Sequence, residues 1–285
     1  MINADSLQFY QGLDIGTGKI KTYEMKGVPH HLIDFLSAND SFDVHQFVNL
    51  ADQVIQEIYQ AGKVPIIVGG TGLYIEALLY KLELSQGNSS DSNIKSQLMS
   101  QIESQGNLNM WQQLQELDPL AAQQIPYQNS RRIIRALEYI SVTGQRFSDQ
   151  TGHDQQISKY KECLFILDRP RQELYQRINS RVLAMVEEGL EEEVHQLYLE
   201  SQGHEWQSLK AIGYKEWFPY FKGNMNRQDV IETIQQNSRR YAKRQLTWYR
   251  NRFKSKHWIQ IEDNDKAFNE ILGIIYKKLG EGSEI

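Results

Sequence analysis

Apolar side chains at Val44, Phe47, Ala51, Val54, Ile55 and Ile58 recur every three or four positions. That period predicts an amphipathic helix, capped by Ser41 and stopped by Gly62. Residues 64–68, VPIIV, are instead continuously apolar, β-branched and bounded by glycines, the pattern of a buried strand. They run into Gly69-Gly70-Thr71-Gly72, and LYIEALLYKL then starts a second helix. Residues 31–35, HLIDF, predict a short strand before the first helix. Strand, helix, strand, glycine-rich turn and helix is the rhythm of a parallel α/β sheet.

After about Leu84 the pattern changes. SQGNSSDSN (85–93) reads as a polar linker, and the Gln-rich stretch to 152 predicts helices without a convincing strand. CLFILD (163–168) restores a strand. One long helix over 171–201 follows, with an apolar stripe through Leu174, Ile178, Val182, Met185, Leu190, Val194 and Leu197. Another helix is expected over 227–248, and HWIQI (257–261) suggests a last strand. The expected organisation is a first core part over 1–84, a helical insertion domain over 85–152, and a second core part over 153–285 ending in basic helices.

Composition narrows the class. Of 285 residues, 40% are hydrophobic and 24% charged, which suits a folded domain and not a disordered chain. Cys163 has no second cysteine to pair with, and no apolar run approaches the ~20 residues of a membrane span, so a cytoplasmic protein is expected. A net charge of −5 argues against a nucleic-acid partner, yet residues 238–256 carry eight Lys/Arg and no acidic residue. A local basic face outweighs a global sum, because phosphate contacts act over a Debye length of about 8–10 Å.

Gly16-Thr17-Gly18-Lys19 resembles a phosphate loop but fails as one: Leu13 stands where the first glycine is needed, and Ile20 where a Ser or Thr would hold magnesium. Asp5, in Asn3-Ala4-Asp5-Ser6, sits where parallel sheets place ligands; it either takes a proton or caps the following turn. The Gly69–Gly72 turn either admits a ligand to the backbone or meets a packing need. His30 and His31 are adjacent, point to opposite faces of a strand, and read as structural and not metal-binding. Arg132 and Arg135, and Arg177 and Arg181, share helix faces at spacings of three and four, as phosphate-binding or ordinary solvated arginines. Lys210-Ala211-Ile212-Gly213-Tyr214-Lys215 and the aromatic-laced basic helix downstream suit RNA, although Tyr241, Leu246 and Trp248 also fit a core-facing side.

The ordered set DSLQFYQGLDIGTGK, GVPHHLID, VPIIVGGTGLYIEALL, RRIIRALE, RINSRV, MVEEGLEEEV, LKAIGYKE and NSRRYAKRQLTWYRN closely resembles the bacterial tRNA dimethylallyltransferases, from the first residues to about Asn251. The resemblance implies a P-loop NTPase-like α/β core with a helical insertion. It implies transfer of a dimethylallyl group from its diphosphate to N6 of the adenine 3′ of the anticodon, position 37, with release of diphosphate. By it Asp5 matches the general base, and Asp5, Ser6, Leu7 and Gln8 a stretch touching the target nucleotide. Thr71 matches a further tRNA contact, Arg131, Arg132, Ile133, Ile134 and Arg135 a tRNA-binding segment, and Lys210 to Lys215 another. Arg181 matches an arginine of the diphosphate site. The implied partners are the tRNA anticodon stem-loop, dimethylallyl diphosphate and Mg²⁺, in a monomer.

That family's P-loop lies upstream of the Asp5 motif. The resemblance therefore implies that the first core strand, the phosphate glycines and the magnesium-binding Ser/Thr are missing here, and no metal ligand is identifiable in the chain. It also leads to the expectation that the chain alone bares apolar strand faces and unpaired edges, and so either folds poorly or binds dimethylallyl diphosphate feebly. An adenylate isopentenyltransferase acting on free AMP, ADP or ATP and a non-catalytic RNA-binding remnant are the competing readings.

Overall fold

Asp43, not Ser41, caps the first long helix in the computed structural model, which describes residues 1–80, 92–149 and 158–280. Its carboxylate accepts the His45 and Gln46 amides, and Gln46 returns a bond to the Asp43 amide at 2.9 Å, a reciprocal capping box. Helix α1, Val44–Gln60, then buries Phe47, Ala51 and Ile55. Gly62 closes it with φ +68°, a conformation that favours glycine.

Strand β1, Ile2–Asn3, pairs in parallel with β2, Ile67–Val68. The predicted strand at 31–35 does not form: Leu32 and Asp34 both adopt φ +57°, so only His31 bridges to Ile2. The turn lets Asp34 and Phe35 donate to the Gln8 and Phe9 carbonyls. VPIIV is also not a buried strand. Val64, Ile66 and Val68 are 74%, 56% and 52% exposed: among the described residues β2 pairs with β1 alone, and its outer face meets water. Phe9, Phe42, Phe47 and Tyr74 form the aromatic core beside this sheet, with ring centroids as close as 4.8 Å between Phe47 and Tyr74.

Helix α2, Gly72–Tyr80, follows the glycine turn. The described residues divide into two compact units, one of residues 1–78 and 160–285, the other of residues 79–159. The second is helical throughout its described part. It comprises α3 (Ser92–Leu117), kinked at Gly106, α4 (Pro119–Gln124) and α5 (Ser130–Thr143) around Met110, Leu114, Ile125, Ile133 and Leu137. The linker read at 85–93 lies largely outside the described residues.

In the first unit, β3 (Phe165–Asp168) pairs in parallel with β4 (His257–Gln260). The single helix expected over 171–201 is two: α6, Arg171–Glu187, and α7, Leu190–Ser201. Gly189, at φ +105°, breaks between them and redirects the apolar stripe. Short α8 (Phe218–Phe221) precedes α9 (Arg227–Arg252), and α10 (Asn264–Gly280) ends the described chain. Among the described residues no helix is long and apolar enough to cross a membrane. Mostly helical with small parallel sheets, the chain is an α/β protein.

Candidate active site

The site is built where β1 ends. The buried Asn3 side chain locks the exit: its amide donates to the Leu32 carbonyl at 2.9 Å, and its oxygen accepts the Asp5 amide at 2.9 Å. Asp5 then accepts the Leu7 amide at 2.9 Å, so it does cap the turn. The cap does not use up the carboxylate. Burial raises the Asp5 pKa above the ordinary carboxylate value, opposed by the Leu7 and Gln8 amides and by the positive charge of Arg181.

The glycine turn docks directly on this exit. Thr71 Oγ1 accepts the Ser6 amide at 3.1 Å and donates to Ser6 Oγ at 3.2 Å. A Cβ on Gly69 would lie 2.2 Å from the Ala4 carbonyl carbon, so only glycine lets the two turns touch. Gly70 and Gly72 are kept small by α9, whose Gln245 and Trp248 side chains would stand 2.2 and 2.5 Å from added Cβ atoms. Gln245 Nε2 also donates to the Gly70 carbonyl at 2.9 Å. The basic helix is therefore a clamp on the glycine turn as well as a charged surface.

Tyr241, 38% exposed on α9, has its hydroxyl within reach of Thr71 and Gln245; burial and then the Asp5 charge raise its pKa. Tyr249 is pushed up to about 12 by burial, Tyr241 and Asp5. Leu246 and Trp248 are half-buried. Gln245 was not among the residues expected from sequence, since no local pattern links it to a turn 175 positions earlier.

The remaining candidates divide by accessibility. Arg181, on α6, is exposed, with its guanidinium over Gly18, where a Cβ would meet Nη2 at 1.7 Å. In the helical unit Arg131 and Arg132 are exposed, Arg135 pairs with Glu138 at 3.3 Å, and Ile133 is fully buried in the core. Ile134 is half-buried. In the 210–215 turn, Lys210 and Lys215 face water, Ala211 and Ile212 are half-buried, and Gly213 and Tyr214 are buried. Neither Ile133 nor Tyr214 presents a side chain to a partner; both hold their segments in place.

Gly16-Thr17-Gly18-Lys19 has an internal occupant. The amides of Asp14, Ile15 and Gly16 donate to the Glu193 carboxylate at 3.0, 2.7 and 3.1 Å. Lys19 Nζ is bound by Asp14 and Asp34, each at 2.6 Å. His30 Nδ1 lies 2.8 Å from the Val28 carbonyl. The described residues around Asp5 do not fit a magnesium site. No three His, Cys, Asp or Glu side chains converge, and the Asp5 carboxylate is desolvated beside an arginine charge.

The family model for IPP transferase matches residues 8–252. The chain belongs to the IPP transferase family. It is 43% identical over 288 residues to the tRNA dimethylallyltransferase of Halalkalibacterium halodurans, covering 100% of this chain and 90% of that protein. The tRNA dimethylallyltransferase of Enterococcus faecalis is 44% identical over 285 residues, covering 99% and 91%. Among solved structures, the full-length tRNA isopentenylpyrophosphate transferase of Bacillus halodurans aligns with a TM-score of 0.72 at 42% identity, over 99% of this chain and 89% of that one. A eukaryotic dimethylallyltransferase acting on tRNA aligns with a TM-score of 0.81 at 25% identity, over 98% and 73%. The IPP transferase match begins at Gln8, directly after the Asp5 turn, and runs through the whole of α9.

Proposed function

We propose that the chain transfers a dimethylallyl group from dimethylallyl diphosphate to N6 of the adenine 3′ of the anticodon in tRNA, releasing diphosphate. The observation that carries this reading is the Asp5 turn bonded to Thr71, with Arg181 near enough to bias the Asp5 carboxyl. An exocyclic adenine amine is a weak nucleophile and needs alignment and a base. Its nitrogen attacks the allylic carbon, the carbon–oxygen bond breaks, and the electron pair leaves on the diphosphate. Asp5 takes the N6 proton, and Arg181 offsets the charge on the leaving group. Ser6, Leu7, Gln8 and Thr71 border the same turn and contact the extruded base.

Arg131, Arg132, Arg135, Lys210 and Lys215, with the outer face of α9, hold the anticodon stem-loop through its phosphates. The two short parallel sheets form part of a P-loop NTPase-like core, with the site at strand ends as parallel folds place it. The protein acts as a cytoplasmic monomer.

Incubating the chain with unmodified tRNA, free AMP and labelled dimethylallyl diphosphate tests the reading. Label is expected in tRNA at position 37. Label confined to AMP, or tRNA binding without transfer, would overturn it.

A further inference from the structure

Glu193 stands in the first turn of α7, where a carboxylate is expected to complement the helix dipole. Its contacts go much further. Oε2 accepts the amides of Asp14 and Ile15, and Oε1 accepts the amide of Gly16 and, at 2.7 Å, the hydroxyl of Tyr214. Three successive amides converging on one anion form a backbone nest, the kind of concavity that elsewhere takes phosphate. Here a side chain from 177 to 179 positions away fills it.

The loop so pinned touches several of the candidate segments. Gln8 Nε2 donates to the Thr17 carbonyl at 3.2 Å, and Lys19 Nζ to the Tyr10 carbonyl at 2.7 Å, which ties the loop to the stretch that begins at Asp5. Gly18 underlies the Arg181 guanidinium, and Gly16 lies against the Tyr214 ring, 2.6 Å from an added Cβ. Tyr214 in turn anchors the turn carrying Lys210 and Lys215.

We propose that Glu193 is a positioning residue for the transfer. By filling the 14–16 nest and holding Tyr214, it keeps the loop as one plate between Gln8, Arg181 and the 210–215 turn. The spacing between the base and the arginine of the leaving group is then set before substrate arrives. This rests on the roles given above to Asp5 and Arg181.

Glu193→Gln keeps the size but replaces one acceptor oxygen by a donor aimed at donors, whereas Tyr214→Phe deletes one bond alone. Glu193→Gln is expected to lower kcat about tenfold at saturating tRNA, with affinity for the anticodon stem-loop within about threefold. Tyr214→Phe is expected to do less. In Glu193→Ala, millimolar formate, an anion that fits the emptied nest, is expected to restore kcat, and neutral formamide is not. Amides 14–16 are expected to exchange hydrogen faster in both Glu193 variants and to be protected again by formate.

A fall in melting temperature with kcat and KM unchanged would reduce Glu193 to a structural residue and overturn the inference. So would unchanged exchange at 14–16, which reads the nest with or without turnover. Loss of transfer by the unaltered chain, or intact transfer in Arg181→Ala and Asp5→Asn, would instead count against the proposed function.

Discussion

Asp5 is a carboxylate that the fold makes costly to ionise. Its raised pKa has two consequences with opposite signs for activity and stability. As a base it must be deprotonated, so the rate is expected to fall with falling pH through an inflection above the ordinary carboxylate value. Stability runs the other way: a group whose folded pKa lies above its unfolded one favours the fold at low pH and loses that contribution as pH rises through the folded value. Asp5→Asn is therefore expected to cut kcat by about 10²–10⁴ and abolish the acidic limb, while raising the melting temperature at neutral pH. A pH–rate profile and a calorimetric scan on the same preparation check both. Unchanged activity, or a variant less stable at pH 7, would contradict the assignment.

The elements explain why the site tolerates so little change. Gly69 sits where β2 hands over to α2, and a methyl group there would strike the backbone after Ala4. Because the obstacle is main chain and not a movable side-chain tip, Gly69→Ala is expected to part the Thr71 and Asp5 turns. It should cost about 2–3 kcal/mol in urea unfolding and most of the transfer rate. The start of α1 is a milder case. Asp43→Ala removes the acceptor for two helix amides and should cost about 1 kcal/mol with kcat unaltered, because α1 contributes core side chains and not chemistry. Helix α9 combines the two roles. Gln245 and Trp248 face the glycine turn, while Arg240, Lys243, Arg244 and Arg250 face water, so one helix carries both the clamp and the charge.

At the scale of the molecule, a negative total charge coexists with that basic face, and counterion release makes the difference measurable. Affinity for the anticodon stem-loop is expected to fall linearly on a log–log plot against salt. Lys243→Ala should lower the slope by about 1 without changing kcat at saturating tRNA. A flat salt response would remove the RNA role of α9. The exposed side chains of Val64, Ile66 and Val68 are the opposite kind of surface, an apolar stripe leading into β2, which among the described residues pairs along one edge alone. Stripes of this kind favour self-association, so light scattering at rising concentration should show a weaker increase for Ile66→Thr than for the parent chain.

Local signals in the sequence determined the helices and the chemistry at the level of motif. Periodicity located the body of α1 and the apolar stripe that α6 and α7 share, though not the break between them; the motif order pointed to the family, and Asp5, Thr71 and Arg181 stood out as candidates because each stands in a distinctive short stretch. What periodicity could not reveal was which side of a strand would be covered. VPIIV is apolar enough for burial on both faces, yet burial depends on neighbours that no local window contains. Nor could it reveal Glu193, since an acidic residue in the first turn of a helix already has an ordinary explanation. Only the folded chain brings that carboxylate to three amides nearly 180 positions away, lays Gln245 on Gly70, and encloses Asp5 enough to raise its pKa. Residue type and spacing act through neighbours a few positions apart; desolvation, convergence of donors and close backbone approach are set by distance in space, and tertiary structure alone decides that.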